Sequence, residues 1–186
     1  EIMALRELNQ PGAECELYVT LEPCCSHGRT PPCTDALMRA GIPRVFIGVT
    51  DPDERHDGKS VDLLRSRGVE VTTGVLQAEC AELIDPFAKH VTTGIPWVSA
   101  KWAMSLDGKL AAFTGTSSWI SSQASRQHVH KLRDTHDAIL VGTGTLLQDN
   151  PTLTCRIPNG RDPVRVVLDS KLEASLDSTL YDPSTS

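Results

Sequence analysis

Apolar residues in the first part of the chain alternate between two spacings. Short, nearly continuous β-prone runs occupy 17–21, 45–49 and 69–73. Between them, segments with helical spacing occupy 34–40 and 61–67, each followed by a glycine that favours a helix end. A strand, a helix and a second strand follow one another, and the strands are almost continuously apolar. This order predicts a parallel sheet that is joined by crossover helices and buried on both faces. This part is therefore predicted to be α/β.

The pattern restarts after a turn-rich junction at 92–96. A helix over 77–90 is predicted before this junction. After it, strands are predicted over 97–101, 138–141 and 164–168, a helix over 122–133, and a short helix after Gly142. We therefore expect two α/β domains, residues 1–93 and 94–186.

Both ends of the sequence have features of cut ends. Ile2, Met3, Ala4, Leu5 and Leu8 form an apolar helical face with no capping residue before it, and the last residues are turn-like. We expect the sequence to begin inside a helix and to stop before its second sheet is complete. A site assembled across either fold would then lack members.

The composition of the chain excludes some classes of binding partner. The chain has 18 Lys and Arg against 24 Asp and Glu, a formal charge of −6, and only 4% aromatic residues. An acidic chain without basic clusters binds polyanions poorly, so nucleic acid and anionic membranes are not expected partners. No apolar run is long enough for a membrane span and no secretory segment opens the sequence, so the cytoplasm is the expected compartment.

The six cysteines favour metal or thiolate chemistry over a disulfide framework, because three of them lie in one short proline-rich segment, Cys24, Cys25 and Cys33. Cys24 follows the first strand and Cys33 precedes the first crossover helix, so their thiolates can converge on Zn²⁺. A catalytic zinc needs one more protein ligand and an open position for water. In zinc deaminases that ligand is His or Cys two residues before a general acid/base Glu. Glu1 fits that Glu, and the ligand is expected just upstream of it.

These motifs resemble the bifunctional deaminase/reductase family of riboflavin biosynthesis. Its deaminase half carries a His-Ala-Glu element, a Glu-Pro-Cys segment and a Pro-Pro-Cys segment, which Glu1, Cys24 and Cys33 match. The resemblance covers nearly the whole chain. It implies a truncated cytidine-deaminase-like three-layer domain, with its N-terminal part missing, followed by a truncated dihydrofolate-reductase-like domain, with its C-terminal part missing.

The implied first activity is zinc-dependent hydrolytic deamination of a phosphoribosylated diaminopyrimidine, with Glu1 as the proton shuttle. Cys25 could replace Cys24 as the ligand by a one-residue slip, although the position directly after Pro23 matches the family. His27 and Arg29, in the loop between the ligands, either reach a substrate phosphate or face solvent.

The second implied activity is NADPH-dependent reduction of the ribosyl group to ribityl. Three motifs occur in the order seen in the reductase half: 105–109, 115–121 and 149–156. By this resemblance, the NADPH site is lined by Ala103, Trp119, Thr145, Asp149 and Ser170. The substrate is held by Ser117, Arg133, Leu153 and Arg156. Arginines suit a ribose phosphate, while the alternative for Arg133 and Arg156 is surface side chains with no partner.

Alternative functions stay open at this stage. The chain could be a non-catalytic zinc-stabilised fragment, or a deaminase acting on another pyrimidine substrate. A nucleic-acid deaminase is disfavoured by the acidic balance, by the few aromatic residues and by the long loop between the cysteines. The sequence leaves open whether identical subunits assemble into a homo-oligomer.

Overall fold

The structure, a computed structural model, describes residues 1–115 and 120–182. It divides the chain into two compact units, Glu1–Ala100 and Lys101–Ser186. Each unit has its own parallel sheet, which confirms the predicted α/β class. The predicted domain boundary between residues 93 and 94 falls within the first unit and stays a prediction.

The sheet of the first unit contains three parallel strands in the order in which they occur along the chain, β1 (Glu16–Leu21), β2 (Arg44–Val49) and β3 (Glu70–Thr73). Leu17 pairs with Val45, and Val45 with Val71. The crossover connections contain α2 (Cys33–Ala40) and α3 (Lys59–Ser66). All three strands and both helices were predicted, and the parallel pairing follows because a helix separates each strand from the next.

The core of the first unit lies between this sheet and the crossover helices. Leu37 of α2 and Leu64 of α3 are fully buried against Val45 and Ile47 of β2. Burying a side chain of this size stabilises the fold by about 1.5–3 kcal/mol. Gly41 ends α2 in the left-handed conformation, with φ +72°, as its position after the predicted helix indicates.

The opposite face of the sheet is covered by α4 (Gln77–Thr93). Successive strand residues point to opposite faces, so Gly48 faces away from the core residue Ile47. A Cβ on Gly48 would lie 2.3 Å from Cys80 Sγ and 2.8 Å from the Thr20 carbonyl oxygen. The absent side chain therefore lets α4 pack directly on β2, and the unit has helices on both faces of its sheet.

The predicted helix at the start of the sequence is present as α1 (Ile2–Arg6), which contacts α2. Leu8, which was predicted to share its apolar face, lies after the helix.

In the second unit, α5 (Gln123–Thr135), β4 (Ala138–Gly142), α6 (Thr143–Asp149) and β5 (Val164–Leu168) follow the predicted order. Strands β4 and β5 are parallel, with Leu140 opposite Val166. The Ser122 side chain caps α5 by accepting the Ser125 N–H at 3.2 Å. Three leucines, Leu146, Leu153 and Leu180, form the core of this unit.

The strand predicted over 97–101 is wrong: this segment has neither helix nor strand. Its residues are β-prone, but a strand also needs a hydrogen-bonded neighbour, and none of the described segments pairs with it. The side chains of Trp97 and Val98 are correspondingly exposed. Within 1–115 and 120–182, no helix is long and apolar enough to cross a membrane.

Candidate metal and phosphate sites

The first candidate site lies where β1 ends and α2 begins. The backbone N–H of Cys33, the first residue of α2, donates to Cys24 Sγ at 3.2 Å. Thr34, the next residue, also binds Cys24: its N–H and Oγ1 donate to the Cys24 carbonyl oxygen at 3.2 and 3.3 Å. The intervening loop is thereby closed on itself, and the two thiols are brought together.

Glu1 reaches the same place from α1. The Cys33 thiol interacts with the side chains of both Cys24 and Glu1. Burial, then hydrogen bonding to Cys24 and the negative charge of Glu1, raises the pKa of the Cys33 thiol to about 12. Two sulfur donors and a carboxylate thus share one partly buried position.

This donor set fits part of a zinc site. Two cysteine sulfurs are favoured Zn²⁺ ligands, and a carboxylate beside them can act as a proton carrier. Among the described residues, however, no group of three or more His, Cys, Asp or Glu is arranged to hold a metal ion. Cys24 and Cys33 therefore match two ligands of such a site, and no described residue completes it.

The loop between the two cysteines is mostly exposed. His27 and Arg29 are solvent-facing, and among the described residues neither has a side-chain hydrogen bond or ion pair. Cys25 is partly buried, and burial followed by the charge of Glu22 raises the pKa of its thiol. Cys24, rather than Cys25, accepts the hydrogen bond from the Cys33 N–H, and the choice of Cys24 as the metal ligand stays a prediction.

Sequence reasoning missed the role of Glu22, which stands two residues before Cys24. Its buried carboxylate accepts the N–H groups of Asp51 at 3.0 Å, Gly58 at 2.9 Å and Ser60 at 2.9 Å. It also accepts the Ser60 hydroxyl at 2.7 Å. Burial by itself raises the pKa of Glu22, but these four bonds outweigh it and hold that pKa below its usual value.

Glu22 therefore ties the end of β1 to the loop that follows β2. The signal available in the sequence was its place at the carboxyl end of a parallel strand, where the loops of neighbouring strands meet. This loop also carries His56, whose ring nitrogens lie 3.4 and 3.5 Å from Ser26 Oγ in the loop between the two cysteines.

The second candidate site lies between α5 and the segment after α6. The Arg133 guanidinium is half-buried, and its Nη1 donates to the Thr154 carbonyl oxygen at 2.8 Å. Arg156 is exposed and donates from Nη2 to Thr152 Oγ1 at 2.8 Å. Burial, then the neighbouring charge of Arg156, lowers the pKa of Arg133. The structure thus brings the two predicted arginines together.

The charge of Asp162 acts on Arg133, but neither Arg133 nor Arg156 forms an ion pair within the described part of the chain. Arg133 Nε is buried without a hydrogen-bond partner there. Two close guanidinium groups with unused donors have the chemistry of an anion site, since Arg binds phosphate oxygens through several N–H groups.

Leu153, predicted to touch substrate, is buried in the core with Leu146. Its φ is +56°, a conformation uncommon for a leucine, so any contact with a ligand would involve its backbone. Asn150, with φ +39°, ends α6 and was missed. Its Oδ1 accepts the Ser178 hydroxyl at 2.7 Å and the Thr179 N–H at 3.0 Å, which fixes the chain near the end of α6.

Three of the predicted NADPH residues lie on α6, which follows β4, or just after β5. Thr145 and Asp149 are exposed on α6, four residues apart and hence on one face, while Ser170 is exposed just after β5. Thr143 Oγ1 donates to the Leu168 carbonyl oxygen at 2.7 Å, which joins the two strand ends. Ligands of parallel sheets bind at this edge, so these polar side chains fit a nucleotide.

The remaining predicted residues are less informative. Ala103 is partly buried in a segment without helix or strand. Ser117 and Trp119 lie outside the described residues. The nearby motif over 105–109 forms a turn, in which the Gly108 N–H donates to the Ser105 carbonyl oxygen at 2.9 Å.

Comparison with known proteins agrees with both units. Residues 96–185 match the RibD C-terminal domain. The chain is 46% identical over 179 residues to riboflavin biosynthesis protein RibD of Aquifex aeolicus, covering 96% of this chain and 50% of that protein. It is 48% identical over 163 residues to the Actinobacillus pleuropneumoniae protein of the same name, covering 88% of this chain and 43% of that one.

Solved structures give the same result. The Thermotoga maritima diaminohydroxyphosphoribosylaminopyrimidine deaminase/5-amino-6-(5-phosphoribosylamino)uracil reductase superposes with a TM-score of 0.89 at 43% identity, covering 98% of this chain and 52% of that one. Acinetobacter baumannii RibD superposes with a TM-score of 0.85 at 37% identity, covering 99% and 54%.

The parallel sheets and these superpositions define the class: α/β proteins with the fold of the deaminase/reductases. The family is that of the riboflavin biosynthesis protein RibD, and this chain belongs to it. The chain spans about half the length of the curated relatives it matches.

Proposed function

We propose that the chain serves riboflavin biosynthesis with two activities: zinc-dependent deamination of a phosphoribosylated diaminopyrimidine and NADPH-dependent reduction of its ribosyl group. The meeting of Cys24, Cys33 and Glu1 carries the first activity. The paired arginines and the match of residues 96–185 to the RibD C-terminal domain support the second. The Thermotoga maritima relative is named for both reactions.

In the deaminase site, Cys24 and Cys33 would hold the zinc ion, with a third ligand that the resemblance places two residues before Glu1. A bound zinc ion supplies the acidity that makes water a nucleophile at neutral pH. Glu1 would take a proton from the attacking water and return it to the departing ammonia. Glu22 would keep the loop after β2 in place beside this site.

In the reductase site, Ala103, Trp119, Thr145, Asp149 and Ser170 would hold NADPH, which supplies the reducing equivalent. Arg133 and Arg156 would bind the substrate phosphate, and Ser117 with the backbone of Leu153 would fix the sugar. Holding the phosphate places the reacting carbon without any covalent step by the protein.

The contact between Glu1 and Cys33 favours catalysis over the alternative of a non-catalytic zinc-stabilised fragment, because a metal that only closes a loop needs no adjacent carboxylate. Glu1→Gln separates the two. It should retain zinc and lose ammonia release from the diaminopyrimidine substrate, when placed in a chain that includes the segment preceding Glu1 in the family.

Zinc content and ammonia release of that longer protein test the deaminase, and NADPH binding tests the reductase. Absence of zinc from the longer protein would overturn the deaminase assignment. Comparing phosphorylated and dephosphorylated pyrimidines tests the substrate class, since a deaminase for another pyrimidine would not require the phosphate.

A further inference from the structure

One turn of α5 is bonded to the segment after α6 at three points. The Arg156 N–H donates to His130 Nδ1 at 3.2 Å. The Cys155 thiol donates to the His130 carbonyl oxygen at 3.4 Å. Arg133, three residues along and on the same helix face, donates to the Thr154 carbonyl oxygen at 2.8 Å. His130 therefore contacts the segment through both its backbone and its side chain.

The bond to Arg156 fixes the chemical state of His130. A backbone N–H is always a donor, so Nδ1 must be unprotonated to accept it, and the proton of the neutral ring then lies on Nε2. The same bond holds the backbone of Arg156, whose guanidinium is steadied by Thr152. His130 thus fixes the backbone position from which the Arg156 side chain extends, beside Arg133.

We propose that His130 is a positioning residue of the phosphate site: its neutral ring holds Arg156 beside Arg133, and protonation of the ring releases Arg156 and weakens anion binding. This inference rests on the proposed function, because it assumes that the two arginines bind the substrate phosphate. His130 itself need not touch the ligand.

Burial and two arginines favour the neutral form of His130, and a hydrogen bond with the Thr154 backbone opposes them. Arg133 lies on the same helix, and Arg156 and Cys155 lie on the packed segment; Asp162, before β5, interacts with Arg133. Burial, then the charges of Arg133 and Arg156, lowers the pKa of His130 from its ordinary value. The bond from Arg156 is therefore present while the ring is neutral and is lost when the ring is protonated.

Sulfate is a suitable probe because it stays a dianion throughout the pH range in which His130 titrates. Its affinity can be measured by NMR titration of the 186-residue chain at pH 7.5 and pH 5. The variants are His130→Ala, which removes the acceptor, and His130→Asn, whose amide oxygen can accept the same N–H without titrating. His128→Asn, at an exposed position of the same helix, is the matched control.

At pH 7.5, we expect His130→Ala to bind sulfate about five- to tenfold more weakly than wild type, the factor expected from one hydrogen bond. His130→Asn and His128→Asn should bind as wild type does. When the His130 ring is protonated, wild type should bind more weakly than His130→Asn. The His130 ring of wild type should show the Nε2–H tautomer and a pKa below 6.5.

Two outcomes would overturn the positioning role alone: equal binding by wild type and His130→Ala, or tighter binding by wild type than by His130→Asn at pH 5, which would make His130 an attracting charge. If His130→Ala unfolds, the wild-type and His130→Asn comparison still decides the matter. No saturable sulfate binding by wild type would overturn the phosphate site itself, and this role with it.

Discussion

The backbone N–H of Cys33 donates to Cys24 Sγ at 3.2 Å, so the first residue of α2 is bonded to the residue that follows β1 by three positions. This bond closes the loop between the predicted zinc ligands. The carboxylate of Glu1 meets the same thiol from α1. The two cysteines and the carboxylate thus meet at one place.

Substituting either ligand should abolish metal binding at this position. Cys24→Ser and Cys33→Ser should each lose the thiolate-to-metal absorption that Co²⁺ gives as a substitute for Zn²⁺, since both sulfurs are needed. The measurement is a Co²⁺ titration followed by absorbance, in the chain extended to include the family's segment before Glu1. Cys15→Ser is the control, because Cys15 contacts Gln10 and Pro11 and should leave the absorption unchanged.

The Glu22 carboxylate should be a large source of stability. Glu22→Gln places an amide donor against backbone N–H groups and should lower the free energy of unfolding by about 2–4 kcal/mol at pH 7, since buried donors lose their acceptor. Urea denaturation measures the change. A loss below about 0.5 kcal/mol, the range of ordinary surface substitutions, would contradict the anchoring role.

The same carboxylate should make stability depend on pH. The pKa of Glu22 is lower in the folded than in the unfolded chain, where it is 4.5. Its contribution is therefore complete above pH 4.5 and is lost as the pH falls through the folded value. Denaturation curves between pH 3 and pH 7 should show a smaller acid loss for Glu22→Gln than for wild type. Parallel losses in the two proteins would assign the acid sensitivity to other groups.

Because α4 packs closely on β2, one methyl group added at Gly48 should lower the stability of the protein. Gly48→Ala should destabilise the protein by about 1–3 kcal/mol, because its Cβ meets Cys80 Sγ and the fixed Thr20 carbonyl oxygen. Cys80→Ala in the same protein should recover part of that loss by removing the sulfur. Gly28→Ala, whose Cβ meets nothing within 4 Å, is the control, and thermal unfolding compares all four proteins.

Local pattern was sufficient for most of the fold and for the placement of Cys24 and Cys33 at the ends of neighbouring elements. The crossover rule predicted that Cys24 at a strand end and Cys33 at a helix start would meet, and they do. Hydrogen-bond partners that are distant in the sequence could not be predicted from local pattern. The donors to Glu22 come from residues 51–60, and only the pairing of β1 with β2 brings them close.

The strand wrongly predicted over 97–101 failed for a related reason. Its composition is typical of a strand, but pairing depends on a partner that local sequence does not reveal. The two predicted arginines illustrate the same limit. Their types indicated phosphate chemistry, whereas the bonds that place them, from Arg133 to Thr154 and from Arg156 to His130, join different elements of the second unit.

Arg156 offers the clearest test of the phosphate site, because it is exposed and its loss should not disturb the fold. Arg156→Ala should weaken ribose 5-phosphate binding by about 10- to 100-fold, the range for hydrogen bonds between charged groups. Arg161→Ala removes an equally exposed arginine that pairs with Asp137, and is the matched control. Calorimetric titration should show a loss only for Arg156→Ala; equal losses in both variants would mean that general positive charge, and not this pair of arginines, attracts the phosphate.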